Sequence, residues 1–410
     1  MFRYLQPRDP YDILIRKMGY PASQTLRRIY ELSCTREEAD VLVELPAPAE
    51  EIARKLNRDM KAVEVQLDRM LQVGLVRHGK TADGKAQFKR DSAIETLSDA
   101  MLFIVGRNNL DRSPDATLYG KTLKDEREIE ITGLWQKFFY EEWYRWERPD
   151  TLVHRRVTIL GGADRGRTLG IMPTWKALEK SAALGVEILP EWDLREIARR
   201  AEALGVYVRA CTCRTRARTC DAPTWTCGAR FEGMPGLAPG VGPADSDKLG
   251  LLHRFSAEEW LEQMGTVEED RAMVHMGGPW RKSCTCCTDC CNWLVPLRLY
   301  TEPWEGVHPS PYRAVVNQDV CEGCVNNCIP RCHFRVLDRQ KDPSSGKVTA
   351  FADLEKCVGC GQCVIGCPVE GAVKLELAED MGAPTNPFDA RLKLPAMVRL
   401  PRSLQPSARL

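Results

Sequence analysis

The sequence predicts an α+β protein that is divided into several domains. Its 410 residues suit roughly two to four domains, each large enough for its own core. Residues 23–90 change from helical periodicity to a hairpin pattern, and all but one of the 18 cysteines fall within two later stretches, 211–291 and 321–367. We therefore expect a helical N-terminal domain, an α/β cysteine-rich middle domain and a C-terminal cysteine-rich domain.

Composition narrows the functional classes. The net charge of +1 predicts neither a nucleic-acid protein nor an acidic tail. The first twenty residues include Arg3, Arg8, Asp9 and Asp12 and have no apolar signal core, and no run of 18 apolar residues predicts a membrane span. We therefore expect a cytoplasmic protein whose thiols are kept reduced and bind metal.

An N-terminal arm, residues 1–22, precedes a domain at 23–90 that alternates helices and turns. Thr35 and Glu38 form a capping-box pair, and helical spacing of apolar residues is followed by a hairpin pattern that turns at Asp83-Gly84. Three helices followed by a hairpin resemble a winged helix-turn-helix domain. The resemblance implies either a DNA-binding module or a module for packing and dimerisation.

Charge leaves both of these roles open. Residues 54–90 hold ten Lys and Arg against four Asp and Glu, whereas residues 31–53 hold one Arg against seven acids. The basic side chains that could contact phosphates are Arg54, Lys55, Arg58, Lys61, Lys80, Lys85, Lys89 and Arg90. A solvated polar face also explains them, so nucleic-acid binding is not the favoured role. Cys34 is interpreted as a buried small apolar residue rather than a redox sensor.

A polar connector is expected at 91–133, and the cysteine-rich middle domain at 134–311. This domain opens with an aromatic helical stripe, for which we predict a packing role: Trp135, Phe138, Phe139, Glu142, Trp143 and Trp146. The glycines of 161–170 fit neither G-x-G-x-x-G nor a P-loop, so direct hydride exchange with NAD(P)H is not expected.

A small α/β layer is predicted further along the middle domain. Residues 173–185 and 193–205 have helical amphipathicity, and each segment ends in a glycine, as a helix C-terminus often does. Residues 206–210 follow as a strand, so helices and a strand alternate here.

Nine cysteines of the middle domain lie in two runs that match no ferredoxin spacing. They are Cys211, Cys213, Cys220, Cys227, Cys284, Cys286, Cys287, Cys290 and Cys291. Consecutive side chains diverge on an extended or helical backbone, so we expect that Cys286/Cys287 and Cys290/Cys291 divide between two sites or that some of them bind no metal. One or two further Fe–S clusters, structural zinc and a dithiol/disulfide centre all fit nine thiolates.

Three arginines lie within the first of these runs: Arg214, Arg216 and Arg218. They either hydrogen-bond to sulfur and offset the charge of a cluster, or they are solvated loop cations.

The most specific motif is near the C-terminus. Cys357, Cys360, Cys363, Cys367 and Pro368 have the C-x2-C-x2-C-x3-C-P spacing of a cluster-binding run. Three thiolates on one tight loop can each reach a different iron of one cubane, and the fourth points at another cluster. A preceding run supplies four more thiolates: Cys321, Cys324, Cys328 and Cys332. Eight thiolates suit two [4Fe-4S] clusters; structural zinc is the alternative, which the spacing disfavours.

Residues 312–378 resemble the bacterial two-[4Fe-4S] ferredoxins. The resemblance implies that one cluster is held by Cys321, Cys324, Cys328 and Cys367, and the other by Cys357, Cys360, Cys363 and Cys332. The first run departs from the pattern, since its C-x2-C-x3-C spacing is one residue longer and His333 stands where proline is usual. Between the runs, residues 333–351 predict a hairpin that turns at 342–346.

The order of the domains resembles a group of multidomain iron–sulfur proteins from anaerobic bacteria, which implies an architecture more than a function. Residues 379–410 are expected to wrap the surface or to be disordered. We favour electron transfer through two [4Fe-4S] clusters to or from a partner oxidoreductase, and further clusters in the middle domain stay an open alternative. The alternatives are a redox-responsive DNA-binding regulator and a reductase with its substrate site at the middle cysteines. No acid–base pair identifies a catalytic residue.

Overall fold

The structure is a computed structural model of the chain. It describes residues 9–144, 170–201, 206–231, 246, 249–278, 281–300, 302–307, 309–324 and 326–378. The chain forms two compact units. Unit 1 comprises Met1–Trp146, Ala198–Val267 and Ser283–Val295, and unit 2 comprises Glu147–Ile197, Glu268–Lys282 and Pro296–Leu410. Segments of the predicted middle domain, 134–311, therefore occur in both units.

Unit 1 begins with five helices and a hairpin. Their bounds are α1 Pro10–Lys17, α2 Gln24–Ser33, α3 Arg36–Glu44, α4 Ala49–Leu56, α5 Met60–Gln72, β1 Arg77–Lys80 and β2 Ala86–Lys89. The side chains of Asp9 and Asp59 cap α1 and α5, and Thr35 and Glu38 form the predicted capping box of α3. The predicted helices and the hairpin that turns at Gly84 are confirmed. The winged-helix assignment stays a prediction.

Residues 91–133, expected as a polar connector, contain the helix α6 Ile94–Asn109 and the start of α7, Glu126–Lys137. Buried apolar side chains line α6: Leu97, Met101, Leu102, Phe103, Ile104 and Val105. The connector prediction overlooked this helix because the polar residues on both sides dominate the composition of the segment. α6 packs closely against Gly74, since a Cβ atom on that glycine would lie 2.7 Å from the Ala100 carbonyl carbon.

α7 continues into a π-helical segment, Phe138–Trp143, that carries the aromatic stripe. Four side chains of the stripe are buried: Trp135, Phe138, Phe139 and Trp143. Adjacent rings meet edge to face, as Phe139 and Trp143 do with centroids 5.2 Å apart. The predicted packing role is therefore confirmed for these four residues. Glu142 is half-buried, and Trp146 lies outside the described residues.

Six helices and ten strands follow α7 in the part of the chain that the structure describes. The helices are α8 Trp175–Ala182, α9 Leu194–Ala201, α10 Thr212–Ala217, α11 Ala257–Arg271, α12 Leu294–Tyr300 and α13 Gln362–Gly366. The strands are β3 Gly170–Met172, β4 Val206–Ala210, β5 Trp225–Phe231, β6 His253–Phe255, β7 Val274–Gly278, β8 Arg281–Cys286, β9 Tyr312–Val316, β10 Leu337–Lys341, β11 Val348–Ala352 and β12 Val373–Leu377. This mixture of helix and strand agrees with the predicted α+β class.

The cysteine-rich part of unit 1 is built on a three-stranded antiparallel sheet with the order β5-β4-β6. β4 is the strand predicted at 206–210, and its register against β5 shifts on both sides of Arg209. α10 follows β4 directly, so the end of this strand and the start of the helix carry the first cysteine run. α11 begins at a capping box between Ser256 and Glu259.

Unit 2 contains the antiparallel pair β3–β7 and two further pairs of strands near the C-terminus. β9 and β12 pair antiparallel, from Tyr312 opposite Leu377 to Val316 opposite Val373. β10 and β11 form the hairpin predicted between the two cysteine runs. α8, predicted at 173–185, is confirmed, and Gly185 follows it with a φ of +83°.

Several predictions concern residues outside the described part of the chain. These are the glycine-containing segment at 161–169 and the tail at 379–410. Among the described residues, no helix is both long enough and apolar enough to cross a membrane.

The contact between Gly74 and α6 predicts a large effect for Gly74→Ala. This substitution forces a side chain into left-handed backbone (φ +80°) and against the Ala100 backbone. We expect a loss of about 2–3 kcal/mol in the free energy of unfolding, measured by urea denaturation. The control is Gly84→Ala, which has a similar φ (+85°) but open space, and should lose only about 1 kcal/mol. Equal losses for the two variants would contradict this account of the packing.

Candidate metal centres

The two C-terminal cysteine runs line two cavities in unit 2. The first cavity is lined by Cys321, Cys324, Cys328 and Cys367. The second is lined by Cys332, Cys357, Cys360 and Cys363. Each cavity therefore receives three cysteines from one run and one from the other. The ferredoxin resemblance implies the same grouping, while ligation of iron by these thiols stays a prediction.

The spacing of these eight thiols fits cubane clusters better than single ions. A tetrahedral ion draws its sulfur ligands close together, whereas a cubane separates them because each thiolate binds a different iron. Among the described residues, none of the eight joins a group of three metal-binding atoms that lie within 4.8 Å of one another. The donor set, all cysteine, is also the one that clusters use.

Burial makes three thiols of the second cavity poor acids until a metal binds. Burial raises the pKa values of Cys357, Cys360 and Cys363, and the negative charge of neighbouring cysteines raises those of Cys360 and Cys363 further. Metal coordination removes the thiol proton outright. The site is therefore arranged to be stable with its metal bound.

Backbone N–H groups point at two sulfurs of the second cavity. Ala314 donates to Cys357 Sγ and Val336 donates to Cys332 Sγ, both at 3.4 Å. Such bonds favour a more negatively charged sulfur and so raise the potential of a cluster bound there. Ala314 belongs to β9, so the β9–β12 pair helps to set this electrostatic environment.

The loop of the second cavity has close contacts that only glycine permits. Gly359 has a φ of +68°, and a Cβ atom there would lie 2.1 Å from the carbonyl oxygen of Tyr312. Gly361 has a φ of +82°, and its Cβ would lie 2.5 Å from Ala177 Cβ on α8. In addition, Thr174 N–H donates to the carbonyl of Cys360 at 3.0 Å. The loop is therefore held against β9 and against the start of α8.

A buried carboxylate anchors the start of α8. Glu268 accepts hydrogen bonds from the backbone N–H groups of Trp175 and Lys176, both at 3.0 Å, and contacts His275 Nε2 at 2.6 Å. Burial raises the pKa of Glu268 to about 8. Gln362, which precedes Cys363, donates to the carbonyl of Met273 at 2.5 Å. Residues 268–275 thus support the cluster loop, and the cysteine pattern alone gave no signal of this.

The nine middle cysteines all lie in unit 1, on four short segments. Cys211 is the N-cap of α10 and Cys213 lies in its first turn, while Cys227 is on β5. Cys284 and Cys286 are on β8, and the remaining cysteines follow in the adjoining loops: Cys220, Cys287, Cys290 and Cys291. The fold brings together residues that are about seventy positions apart, which the sequence did not specify.

Six of these cysteines form a closed ring. Cys211 interacts with Cys213 and Cys227, and Cys227 interacts in turn with Cys284. From Cys284 the ring continues through Cys286 and Cys291 and returns to Cys213. Each of the six side chains therefore has two cysteine neighbours within the ring.

The other three cysteines form a separate, tighter group. Cys220 Sγ lies 3.6 Å from Cys287 Sγ, which lies 3.5 Å from Cys290 Sγ, and all three residues are buried. The adjacent residues Cys286 and Cys287 therefore belong to different groups, and so do Cys290 and Cys291. This division accords with the divergence expected of consecutive side chains.

Two of the three arginines in the first run are buried beside these thiols. Arg214 donates to the Thr285 carbonyl at 2.7 Å, and Arg216 donates to the Cys290 carbonyl at 3.1 Å. Burial by itself lowers the pKa of Arg214, but neighbouring thiolates, including that of Cys211, hold it above the ordinary value. Arg214 is therefore a fixed buried cation and not a solvated loop residue; Arg218 is half-buried at the end of α10.

Asp99 is a polar residue beside the ring that the sequence did not single out. It accepts a hydrogen bond from Thr212 Oγ1 at 2.6 Å, next to Cys211. Burial raises the pKa of Asp99 to about 8, the Thr212 hydrogen bond opposes this shift, and Cys284 and Cys211 add to it. Asp99 lies on α6, within the segment expected as a connector, and no sequence motif marks it as a site residue.

Residues 320–373 match the family model of the 4Fe-4S dicluster domain. These residues are therefore a ferredoxin-like iron–sulfur domain at the C-terminal end of the chain, which together with the cysteine-rich regions supports an iron–sulfur electron-transfer role. No curated protein and no solved structure matches the chain.

The close contacts of Gly359 predict that Gly359→Ala disrupts the second cavity. The new methyl group displaces the loop from Tyr312, and Cys357 and Cys360 move with it. We expect anaerobically purified protein to lose about four of its irons, as determined by metal analysis. The control is Gly346→Ala, at a φ of +72° in open space, which should keep its iron. Full iron content in Gly359→Ala would show that the loop tolerates the displacement.

Proposed function

We propose that this protein carries single electrons through two [4Fe-4S] clusters to or from a partner oxidoreductase. Cys321, Cys324, Cys328 and Cys367 hold one cluster, and Cys332, Cys357, Cys360 and Cys363 hold the other. The supporting observation is that each set of four lines its own cavity, with one member supplied by the other run. Because each run supplies one cysteine to the cluster of the other run, both cluster sites belong to one small fold.

The residues around the two sites have distinct tasks in this proposal. The bound clusters supply one-electron chemistry, and the thiolates hold them in place. The N–H groups of Ala314 and Val336 stabilise negative charge on sulfur. Cys324 is exposed, and so are Val320 and Val348 near it, at 38% each. We expect the partner to approach this edge, because apolar exposed side chains beside a cluster suit a transient contact.

The contacts of the N-terminal helices favour a packing role over DNA binding. α3, α4, α5 and the β1–β2 hairpin support the winged-helix assignment, with α5 in the position of a recognition helix. The exposed face of α5 carries Glu64 and Asp68, which phosphates repel. Several basic side chains that could contact phosphates instead pair with acids: Lys55 with Glu51, Arg58 with Asp40, and Lys85 with Asp83.

The six-cysteine ring supports a further polynuclear iron–sulfur centre. A single tetrahedral ion takes four thiolates, so a ring of six thiols, each with two cysteine neighbours, exceeds what one ion uses. Buried thiolates require nearby positive charge, and Arg214, buried beside Cys211, offsets part of the charge of a cluster. This centre would give unit 1 a redox centre of its own.

The carrier proposal is tested by removing one thiol from each cluster. We expect Cys324→Ala and Cys360→Ala each to lose about four irons and four sulfides per chain, together with one low-potential signal in electron paramagnetic resonance titrations. Cys34→Ala is the control. That thiol is buried in unit 1, donates to the Tyr30 carbonyl and has a pKa raised to about 12 by burial. Zinc in place of iron at both sites would overturn the proposal.

The ring proposal is tested by the total iron content. Two C-terminal clusters account for about eight irons, so a ring centre should raise the total to about twelve in anaerobically purified protein. Cys213→Ala should remove the excess and leave the two C-terminal clusters. A total of about eight irons in the unmodified protein would confine electron transfer to the C-terminal domain.

A further inference from the structure

The tight group of three cysteines differs in its spacing from every other cysteine set that the structure describes. Cys220, Cys287 and Cys290 place their sulfurs within 4.8 Å of one another. We propose that these three thiolates bind one tetrahedral metal ion of the zinc class and leave its fourth position to an exchangeable small ligand. This inference does not rest on the electron-transfer proposal, because a zinc-class ion does not change its oxidation state and so takes no part in electron transfer.

The sulfur–sulfur distances fit a single ion. Metal–sulfur bonds of about 2.3 Å in a tetrahedron place the sulfurs about 3.8 Å apart. The observed separations are 3.6 Å between Cys220 and Cys287 and 3.5 Å between Cys287 and Cys290. A disulfide needs about 2.05 Å, and a cubane spreads its thiolates over separate irons. A mononuclear site is the arrangement that these distances match.

The group provides three protein ligands and not four. Among the described residues, no further Cys, His, Asp or Glu joins it within 4.8 Å. Cys286 precedes Cys287 and Cys291 follows Cys290 in the sequence, but each of these two residues contacts two cysteines of the ring instead. Structural zinc sites are closed by four protein ligands, whereas sites that bind a substrate or water have three and an open position.

The charge of the site also favours three thiolates. Three thiolates and a divalent ion leave a net charge of −1, and the buried Arg214, which lies beside Cys220, Cys287 and Cys290 as well as Cys211, offsets part of this charge. A fourth thiolate would leave an uncompensated buried charge, which is costly. The fourth ligand is therefore expected to be neutral at rest, as water is.

The residues next to two of the three ligands are exposed to solvent. Asp221, which follows Cys220, is exposed, and so is Asp289, which precedes Cys290. A soft, zinc-class ion bound by thiolates prefers sulfur in its fourth position. We therefore assign small thiols as the class of exchangeable ligand. A bound thiol releases its proton to solvent and adds the charge of a fourth thiolate, so it binds more weakly than the three cysteines and exchanges with water.

The metal is identified by elemental analysis of the full chain, grown with zinc and purified without oxygen or thiol reductants. We expect one zinc per chain, lost in Cys287→Ala, with iron and sulfide unchanged. The matched control Cys34→Ala should keep its zinc, because Cys34 lies in a separate buried position. Loss of about four irons from Cys287→Ala, or retention of its zinc, would overturn the proposal.

The open position is tested on the unmodified protein by X-ray absorption at the zinc edge, which does not depend on any variant folding. We expect three sulfurs and one oxygen or nitrogen around zinc, and four sulfurs after addition of 2-mercaptoethanol. Four sulfurs before addition would mean that a fourth cysteine closes the site. An unchanged shell after addition would exclude thiols as ligands, and the absence of zinc would refute the site itself.

Discussion

Burying a thiolate costs free energy unless positive charge or hydrogen-bond donors lie beside it, and both cysteine-rich regions are arranged around this constraint. All the cysteines of the two rich regions except Cys324 are buried or half-buried, and burial opposes the thiolate form that binds metal. The chain supplies compensation in two ways. In unit 2, backbone N–H groups donate to Cys332 and Cys357, and in unit 1 a buried guanidinium, that of Arg214, lies beside the thiols. Bound metal supplies the remainder.

In unit 2 the support of the second cavity extends well beyond the cysteine motif. The loop around Gly359 contacts the carbonyl of Tyr312, and Gln362 donates to the carbonyl of Met273. Glu268, buried and bonded to the start of α8, holds the helix against which Gly361 packs. Because these contacts come from segments far from the motif in sequence, the ferredoxin-like domain is not an independent appendage of unit 2.

In unit 1 two kinds of thiol group are built from the same run of residues. Cys286 and Cys291 belong to the ring, while Cys287 and Cys290 belong to the tight group. The alternation follows from backbone geometry, since consecutive side chains point in different directions. One short segment can therefore serve a polynuclear centre and a single ion, and Arg214 and Arg216 bond to the backbone of this segment at Thr285 and Cys290.

The sequence by itself determined the features whose partners are close along the chain. The capping box of Thr35 and Glu38, the hairpin at Gly84 and the spacing of Cys357, Cys360 and Cys363 are local, because a few residues contain all the interactions involved. Apolar periodicity likewise predicted the buried aromatic stripe. Apolar periodicity did not predict α6, because the polar residues on both sides dominate the composition of that segment. Asp99 lies on α6, so no sequence pattern marks it as a site residue.

Tertiary structure decided how the nine middle cysteines are grouped. Cys220 joins Cys287 and Cys290, and Cys227 joins Cys284, only because the sheet β5-β4-β6 and the end of β8 bring distant segments together. No spacing rule covers ligands that come from four segments, since the relevant distances are set by packing and not by the length of a loop. The same holds for Arg214, because only the tertiary structure buries its guanidinium among thiols.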